Sequence, residues 1–294
     1  MTGAAAPPQT WTIEAVVKWA TDDFRARGID KPRLDAEVLL AFALNTDRMR
    51  LVIDSKRPLE PEELARFRDL VKRRRVREPV AYLLGVREFY GRKFRVDKRV
   101  LIPRPDTETL VDVALARTEG RSLSMRALDL CTGSGCVAIT LARQRPTGRV
   151  HATDLSAEAL EVARENALRL GAYNVSFSPG DLFAALPKGC GPFDVITANP
   201  PYIASGEIPG LEKDIKDFEP RLALDGGGDG LDLVRRIVEA APERLAAGGV
   251  LATEIGAGEA EEAVKLFEAR GFTQVTVTRD YGRIERVVDG TWAG

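Results

Sequence analysis

The sequence predicts an α/β protein: an open, mostly parallel, Rossmann-like sheet with helices on both faces, preceded by a smaller helical domain. Three observations carry that expectation. Beyond about Arg126, short β-branched runs alternate with helical segments, the pattern of strands joined by crossover helices. A glycine-containing loop, CTGSG, stands between the first of these runs and a helix, where backbone N–H groups can approach a ligand closely. From Thr12 to about Glu78, apolar residues recur at helical spacing instead. A chain of 294 residues is long enough for two cores, since domains usually run to about 100–200 residues.

The elements follow in order. Residues 1–10, rich in Ala and Pro, read as a disordered tail without the basic and apolar regions of a signal peptide. Ile13, Val16, Val17 and Ala20 mark a first helix, Leu34 to Leu44 a second, and Glu60 to Val76 a charged amphipathic one after Pro58 and Pro61. The stretch RFRDLVKRRRVR, Arg66 to Arg77, reads as a solvated helix face or as a docking surface for an RNA-bound or acidic partner. GVREFYGRKFRV alternates around Gly91 and predicts a hairpin, which ends in the stiff pair Pro103 and Pro105. A helix follows from about Asp106, with Asp, Thr and Glu in its first turn. Then come strand RALDL, a helix from Cys136, strand RVHATD, a helix from Ala157 to Leu170, and strands VSFSPGD and FDVITANPPY. A helix from Leu231 to Leu245, strand GVLATEIG and a helix from Glu259 to Arg270 come next, and the closely connected FTQVTVTRD and RIERVVDG should pair antiparallel. The expected division is a helical domain over 1–86, a hairpin and linker over 87–105, and the α/β domain over 106–294.

Composition narrows the function. A net charge of −1 supplies no global basic field for nucleic acid. The three cysteines, Cys131, Cys136 and Cys190, form neither a disulfide framework nor a metal-binding pair, and a single histidine, His151, removes most zinc and Ser-His-Asp schemes. No metal is expected, and no apolar run approaches membrane-spanning length, so a reducing cytoplasm is the expected compartment and no membrane partner is expected.

In LDLCTGSGCVA, residues Cys131, Thr132, Gly133, Ser134 and Gly135 are the candidate cofactor loop. Gly133 to Ala138 also satisfies the dinucleotide fingerprint GxGxxA. Asp154, about 20 residues on, suits ribose hydroxyls in either NAD or S-adenosylmethionine. Asp181, in PGDLF, is placed to accept from an adenine amino group, with Leu182 and Phe183 as apolar cover. Carboxylates at three successive strand ends, Asp129, Asp154 and Asp181, suit a cationic amino-acid cofactor better than a pyrophosphate, which Asp129 would repel.

Asn199-Pro200-Pro201-Tyr202 closes the fourth strand of this domain. Proline fixes φ and holds the residue before it extended, so the Asn199 side chain and the Pro200 carbonyl become fixed acceptors. At the carboxyl end of a strand, where such sheets bind ligands, two acceptors suit a planar –NH2 group whose weak nucleophile needs orienting, with Tyr202 stacked on its plane. Attack from a pyrimidine carbon would need a neighbouring cysteine nucleophile, and Tyr202 stands there instead.

With FYGRKFRV, VLIPRPDTE, LDLCTGSGCVAI, ITANPPYI and EPRLALDGGGDGLD in this order, the chain resembles the bacterial release factor glutamine methyltransferases, the PrmC/HemK family, from about Thr12 to its end. The resemblance implies an S-adenosylmethionine-dependent enzyme that methylates N5 of the Gly-Gly-Gln glutamine in class 1 peptide-chain release factors, gripped with help from the helical domain. On that resemblance Asn199 and Pro200 hold the glutamine amide, Tyr202 packs beside it, and the Cys131–Gly135 loop and Asp154 hold the cofactor, which Leu182 and Asn199 line. Cys131 stands where the family usually has glycine, and Leu182 where an aromatic is common. The alternatives are a glutamine methyltransferase for a ribosomal protein, a nucleic-acid amino methyltransferase acting on adenine N6, or a non-catalytic binding module on the same fold. No stable nucleic-acid partner and a monomeric state are expected. Arg104 is open between a loop role and a ligand contact, and DGGGDGLD between a structural turn and a substrate loop.

Overall fold

The computed structural model describes residues 11–121 and 123–294, so the Ala/Pro tail expected over residues 1–10 lies outside the described residues. The chain divides into two compact units, Met1–Leu84 and Gly85–Gly294. The first is helical: α1 (Ile13–Ala26), α2 (Pro32–Ala43), α3 (Arg48–Ile53), α4 (Pro61–Arg75) and α5 (Val80–Leu84). Thr12 caps α1 by accepting the Ala15 N–H at 3.3 Å, and Ile13, Val16, Ala20 and Phe24 supply its buried stripe. Pro61 opens α4, where the Glu63 carboxylate reaches back to the Glu60 N–H at 3.0 Å.

The cations between Arg66 and Arg77 resolve into individual contacts. Arg66 donates to the Ala43 carbonyl, Arg73 pairs with Glu78, and Arg74 with Asp35 in the interior. Arg75 pairs with Asp23 and lies 5.4 Å from the centre of the Trp19 ring, and Arg77 donates to the Gly28 carbonyl. Among the described residues only Arg68 and Lys72 of this stretch make no such contact. Most of the run therefore staples the helices together.

The second unit opens with a hairpin, β1 (Val86–Phe89) and β2 (Arg92–Arg95), turned at Tyr90 and Gly91, both at positive φ. Its Phe89 and Phe94 are buried in the core of this unit. After a 3₁₀ turn over Pro105–Thr107 come α6 (Glu108–Arg117), β3 (Arg126–Leu130), α7 (Cys136–Gln144), β4 (Arg149–Asp154), α8 (Ala157–Leu170), β5 (Val175–Pro179) and β6 (Phe193–Ala198). The chain closes with α9 (Lys213–Lys216), α10 (Asp232–Ala240), β7 (Leu245–Glu254), α11 (Ala260–Arg270), β8 (Thr273–Arg279) and β9 (Glu285–Trp292).

The seven-stranded sheet has the order β5-β4-β3-β6-β7-β9-β8. It is parallel from β5 through β7, and β9 joins β7 and β8 antiparallel. Successive residues of each strand serve opposite faces: Ala127 packs with α6 and α7, whereas Leu128 and Leu130 pack with α10 and α11. One expected boundary changes. The helix from Leu231 ends at Ala240, a 3₁₀ turn covers Ala241–Glu243, and β7 already begins at Leu245, because Pro242 cannot continue the helical hydrogen bonding. Among the described residues no helix is long and apolar enough to cross a membrane, and no cluster of His, Cys, Asp and Glu could hold a metal ion.

Candidate functional site

The parallel strands β3, β4 and β6 deliver their carboxyl ends to one cleft, as open α/β sheets do. Between β3 and α7 the backbone turns sharply: Cys131, Gly133 and Gly135 have φ of 56°, 54° and 80°. The left-handed region suits glycine and strains cysteine, and such strain clusters where a loop is held for a ligand. Two neighbours hold the loop. Asp154, the last residue of β4, accepts the Gly133 N–H through Oδ2 and the Ser156 N–H through Oδ1, each at 2.8 Å. Asn166 of α8, fully buried, donates to the carbonyls of Ser134 and Arg95 at 3.0 Å and accepts the Arg95 N–H at 2.7 Å. It thereby ties the loop to the hairpin.

The three aspartates differ in setting. Asp129 lies inside β3, its two oxygens accepting the hydroxyls of Thr132 at 2.6 Å and Thr197 at 2.7 Å, and burial pushes its pKa up to about 6. Burial also raises the pKa of Asp154. Asp181 stands beyond the end of β5, half-exposed, and pairs with Arg236 of α10 at 2.5 Å. Leu182, buried and at a φ of 45°, follows it. Of the residues singled out in the sequence, Cys131 to Ser134, Asp154, Asp181, Leu182, Asn199 and Pro201 line the cleft. Gly135, Pro200 and Tyr202 are not part of that lining. At Gly135 a Cβ would come within 2.8 Å of Ile139 Cδ1 and 3.1 Å of Ala163 Cβ, so this glycine permits close packing of α7 against α8.

On the other side of the cleft, Asn199 directly follows β6 and donates from Nδ2 to the Thr107 hydroxyl at 3.1 Å. Among the described residues its Oδ1 has no hydrogen-bond partner. The prolines after it are buried, and the glycine-rich segment packs directly behind them. A Cβ on Gly226 would lie 2.7 Å from the Pro201 carbonyl oxygen, and one on Gly230 would lie 2.4 Å from that of Tyr202. The Ile203 N–H donates to the Leu224 carbonyl and the Gly226 N–H to that of Ile203. DGGGDG is thus a backing strip for the Asn-Pro-Pro-Tyr segment. Arg104 pairs at 2.6 Å with Glu219, which also accepts the Ile102 N–H at 3.1 Å, so it joins two of the loops that frame the cleft.

Two buried residues beside this segment escaped the sequence reading. Thr107 precedes α6, and Glu254 is the last residue of β7. Burial first, and then the Glu254 carboxylate, push the Tyr202 phenol up. Glu254 itself is pushed up to about 7 by burial, opposed by the facing hydroxyls of Thr107 and Tyr202 and by the Arg286 guanidinium. The only trace in the sequence was an acidic residue closing an otherwise apolar strand, GVLATEIG.

Residues 15–85 match the family model of the PrmC N-terminal domain, and residues 122–223 that of a methyltransferase domain. Among curated proteins, the chain is 44% identical over 283 residues to a release factor glutamine methyltransferase of Geobacter sulfurreducens, covering 96% of this chain and 98% of that one. It is 45% identical over 259 residues to one of Bordetella pertussis, covering 88% and 94%. Among solved structures, a methyltransferase from Pyrococcus furiosus aligns with a TM-score of 0.50 at 19% identity, over 69% of this chain and 90% of that chain. The hMettl16 catalytic domain aligns with a TM-score of 0.56 at 16% identity, over 74% and 80%. At such identities the two structures speak to the fold alone.

Proposed function

The chain belongs to the release factor glutamine methyltransferase family, and on that premise we propose that it transfers a methyl group from S-adenosylmethionine to the side-chain amide nitrogen of the Gly-Gly-Gln glutamine in class 1 release factors. The observation that carries this reading is the state of Asn199. Its Nδ2 is already committed to Thr107, so Oδ1 is the end left to accept from an –NH2 group at the cleft.

The residues present fit the cofactor. Asp154 uses one lone pair of each oxygen on backbone N–H groups and keeps the others for ribose hydroxyls. Nothing lies within 4 Å of a Cβ built on Gly133, so the backbone there is open to a ligand. Leu182 offers an apolar surface for a base, and Asp181 keeps one oxygen beyond its bond to Arg236. When bound, S-adenosylmethionine supplies an electrophilic methyl group on a sulfonium. An amide nitrogen is a poor nucleophile because its lone pair is delocalised. Asn199 Oδ1, at the cleft lining, accepts one of its N–H bonds, which orients the nitrogen and favours the positive charge that builds on it. Tyr202, with its phenol held neutral, faces Glu254 beside this segment.

The helical unit suits a docking role. Met49, Val52 and Ile53 of α3 and Phe42 of α2 are exposed, an apolar surface of the kind that marks partner sites. Arg68 and Lys72 add charge that no contact among the described residues commits. A translation factor as substrate assigns the reaction to the cytoplasm. The test is incubation with labelled S-adenosylmethionine and separate pools of release factors, ribosomal proteins and DNA. Label on the release factor glutamine alone is the expected result. Label confined to ribosomal protein or DNA would overturn the assignment.

A further inference from the structure

We propose that Glu254 is a positioning residue for methyl transfer, which acts through the Thr107 hydroxyl to fix the end of the Asn199 amide that faces the cleft. The inference rests on the role assigned to Asn199 above and goes beyond it, since Glu254 does not line the cleft. It starts from strand register. Ala198 of β6 and Thr253 of β7 are partners in adjacent parallel strands, so the residues that follow them, Asn199 and Glu254, stand abreast at the carboxyl edge of the sheet. Thr107 belongs to a different element; its hydroxyl accepts from Asn199 and faces Glu254.

Donor and acceptor arithmetic then decides the orientation. An Asn side chain presents a carbonyl or an –NH2 group of nearly the same shape, and a Thr hydroxyl both donates and accepts. Asn199 and Thr107 alone could therefore bond either way round, with Asn199 Nδ2 donating or Oδ1 accepting. A carboxylate only accepts. If the Thr107 proton goes to Glu254, the hydroxyl oxygen is left to accept from Asn199 Nδ2, which is the bond observed at 3.1 Å. Oδ1 is then the group presented to the cleft. Reversing the arrangement would offer the substrate –NH2 a donor in place of an acceptor.

The setting is consistent with a group held for this task. Glu254 is 1% exposed, yet neither of its oxygens has a completed hydrogen bond. The Thr107 and Tyr202 hydroxyls face it, and Thr107 caps no backbone N–H of α6. An unsatisfied buried carboxylate is costly to keep, and catalytic hydrogen bonds are often long before the substrate complex forms. Arg286 faces Glu254 and is itself anchored, donating to Asp280 and to the Ile255 carbonyl at 3.1 Å each. Asp106 and Cys136 also lie within its field. Asp106 opposes its ionisation and Arg286 favours it.

The whole chain carries the test in two arms. In the first, kcat, KM for a release factor and cofactor affinity are compared for Glu254→Gln, Thr107→Val, their combination and Thr107→Ser. Either single substitution should lower kcat about tenfold or more with KM and cofactor affinity little changed, as expected of lost orientation. The double variant should be no worse than Thr107→Val, and Thr107→Ser should recover most of the rate. The wild-type kcat should rise with pH as Glu254 ionises, and Glu254→Gln should lose that inflection. The second arm needs no substrate: NMR of the Asn199 side-chain amide should show a titration in the neutral range that disappears in Glu254→Gln and Thr107→Val. An unchanged kcat in Glu254→Gln, multiplicative losses in the double variant, or an Asn199 amide indifferent to pH and to both substitutions would overturn the proposal. Absence of methyl transfer to release factors by the unaltered chain would instead strike the functional reading and leave the amide titration to decide this one.

Discussion

On the side of the cleft formed by Cys131 to Gly135, the chain organises itself largely through short-range rules: a strand, a turn of left-handed residues and a helix follow within about a dozen positions, and the backbone N–H of Gly133 meets the carboxylate closing the next strand. On the side formed by Asn199 to Tyr202, four consecutive residues depend on distant ones. Thr107 lies 92 positions away, Gly226 and Gly230 press on the backbone from behind, and Glu254 stands at the end of another strand. The difference teaches where damage should appear. Disturbing the first side should weaken a ligand held by a few local groups, whereas disturbing the second should misorient a reacting group and leave affinity largely intact.

The most severe test of that contrast is Asn199→Ala. Losing one orienting contact of this kind typically costs about 100- to 1000-fold in rate, so kcat for a release factor should fall by that order while calorimetric affinity for S-adenosylmethionine changes little. Near-normal turnover would reduce Asn199 to a turn residue. The converse substitution, Asp154→Ala, should weaken cofactor binding by about 1–3 kcal/mol through lost hydrogen bonds. At saturating cofactor most of the rate should return, and a kcat defect that persists would blur the division between the two sides.

A comparable but indirect effect is expected from Gly226→Ala. Its Cβ would sit 2.6 Å from the Gly230 carbonyl oxygen and 2.8 Å from Tyr202 Cα, and relieving that overlap should cost about 1–3 kcal/mol of stability. Urea unfolding would give the loss, and the surviving folded protein should show a larger fall in kcat than in cofactor affinity. The smallest effect belongs to Cys131→Gly. Cysteine at a φ of 56° carries left-handed strain of about 1–2 kcal/mol. Glycine relieves it but loses more chain entropy on folding and the packing of the half-buried side chain. The unfolding free energy should therefore shift by less than about 1 kcal/mol, and a larger loss would mean that the side chain holds the loop through packing.

The alternation of strands and helices, the left-handed glycine loop and the placement of Asn-Pro-Pro-Tyr after a buried strand could all be read from the residues, because periodicity, turn chemistry and proline act over a few positions. The end of α10 at Ala240 was within reach of the same rules through Pro242, although the apolar pattern runs on to Leu245. The run Arg66 to Arg77 shows where composition stops informing. As a string it is a basic patch, and in the fold most of its charges are consumed by Asp23, Asp35, Glu78 and backbone carbonyls, since pairing depends on which helix lies opposite.

For the site, the sequence by itself determined that a glycine loop, acidic strand ends and two stiffened acceptors exist. Only the tertiary structure decided that Thr107 meets Asn199, that Glu254 stands abreast of it, and that the glycines of DGGGDG back the prolines. The physical reason is register. A side chain's own strand sets the face on which it emerges, but its partner is set by the alignment of neighbouring strands, such as Ala198 with Thr253, and that alignment is fixed only when the whole sheet and its covering helices pack.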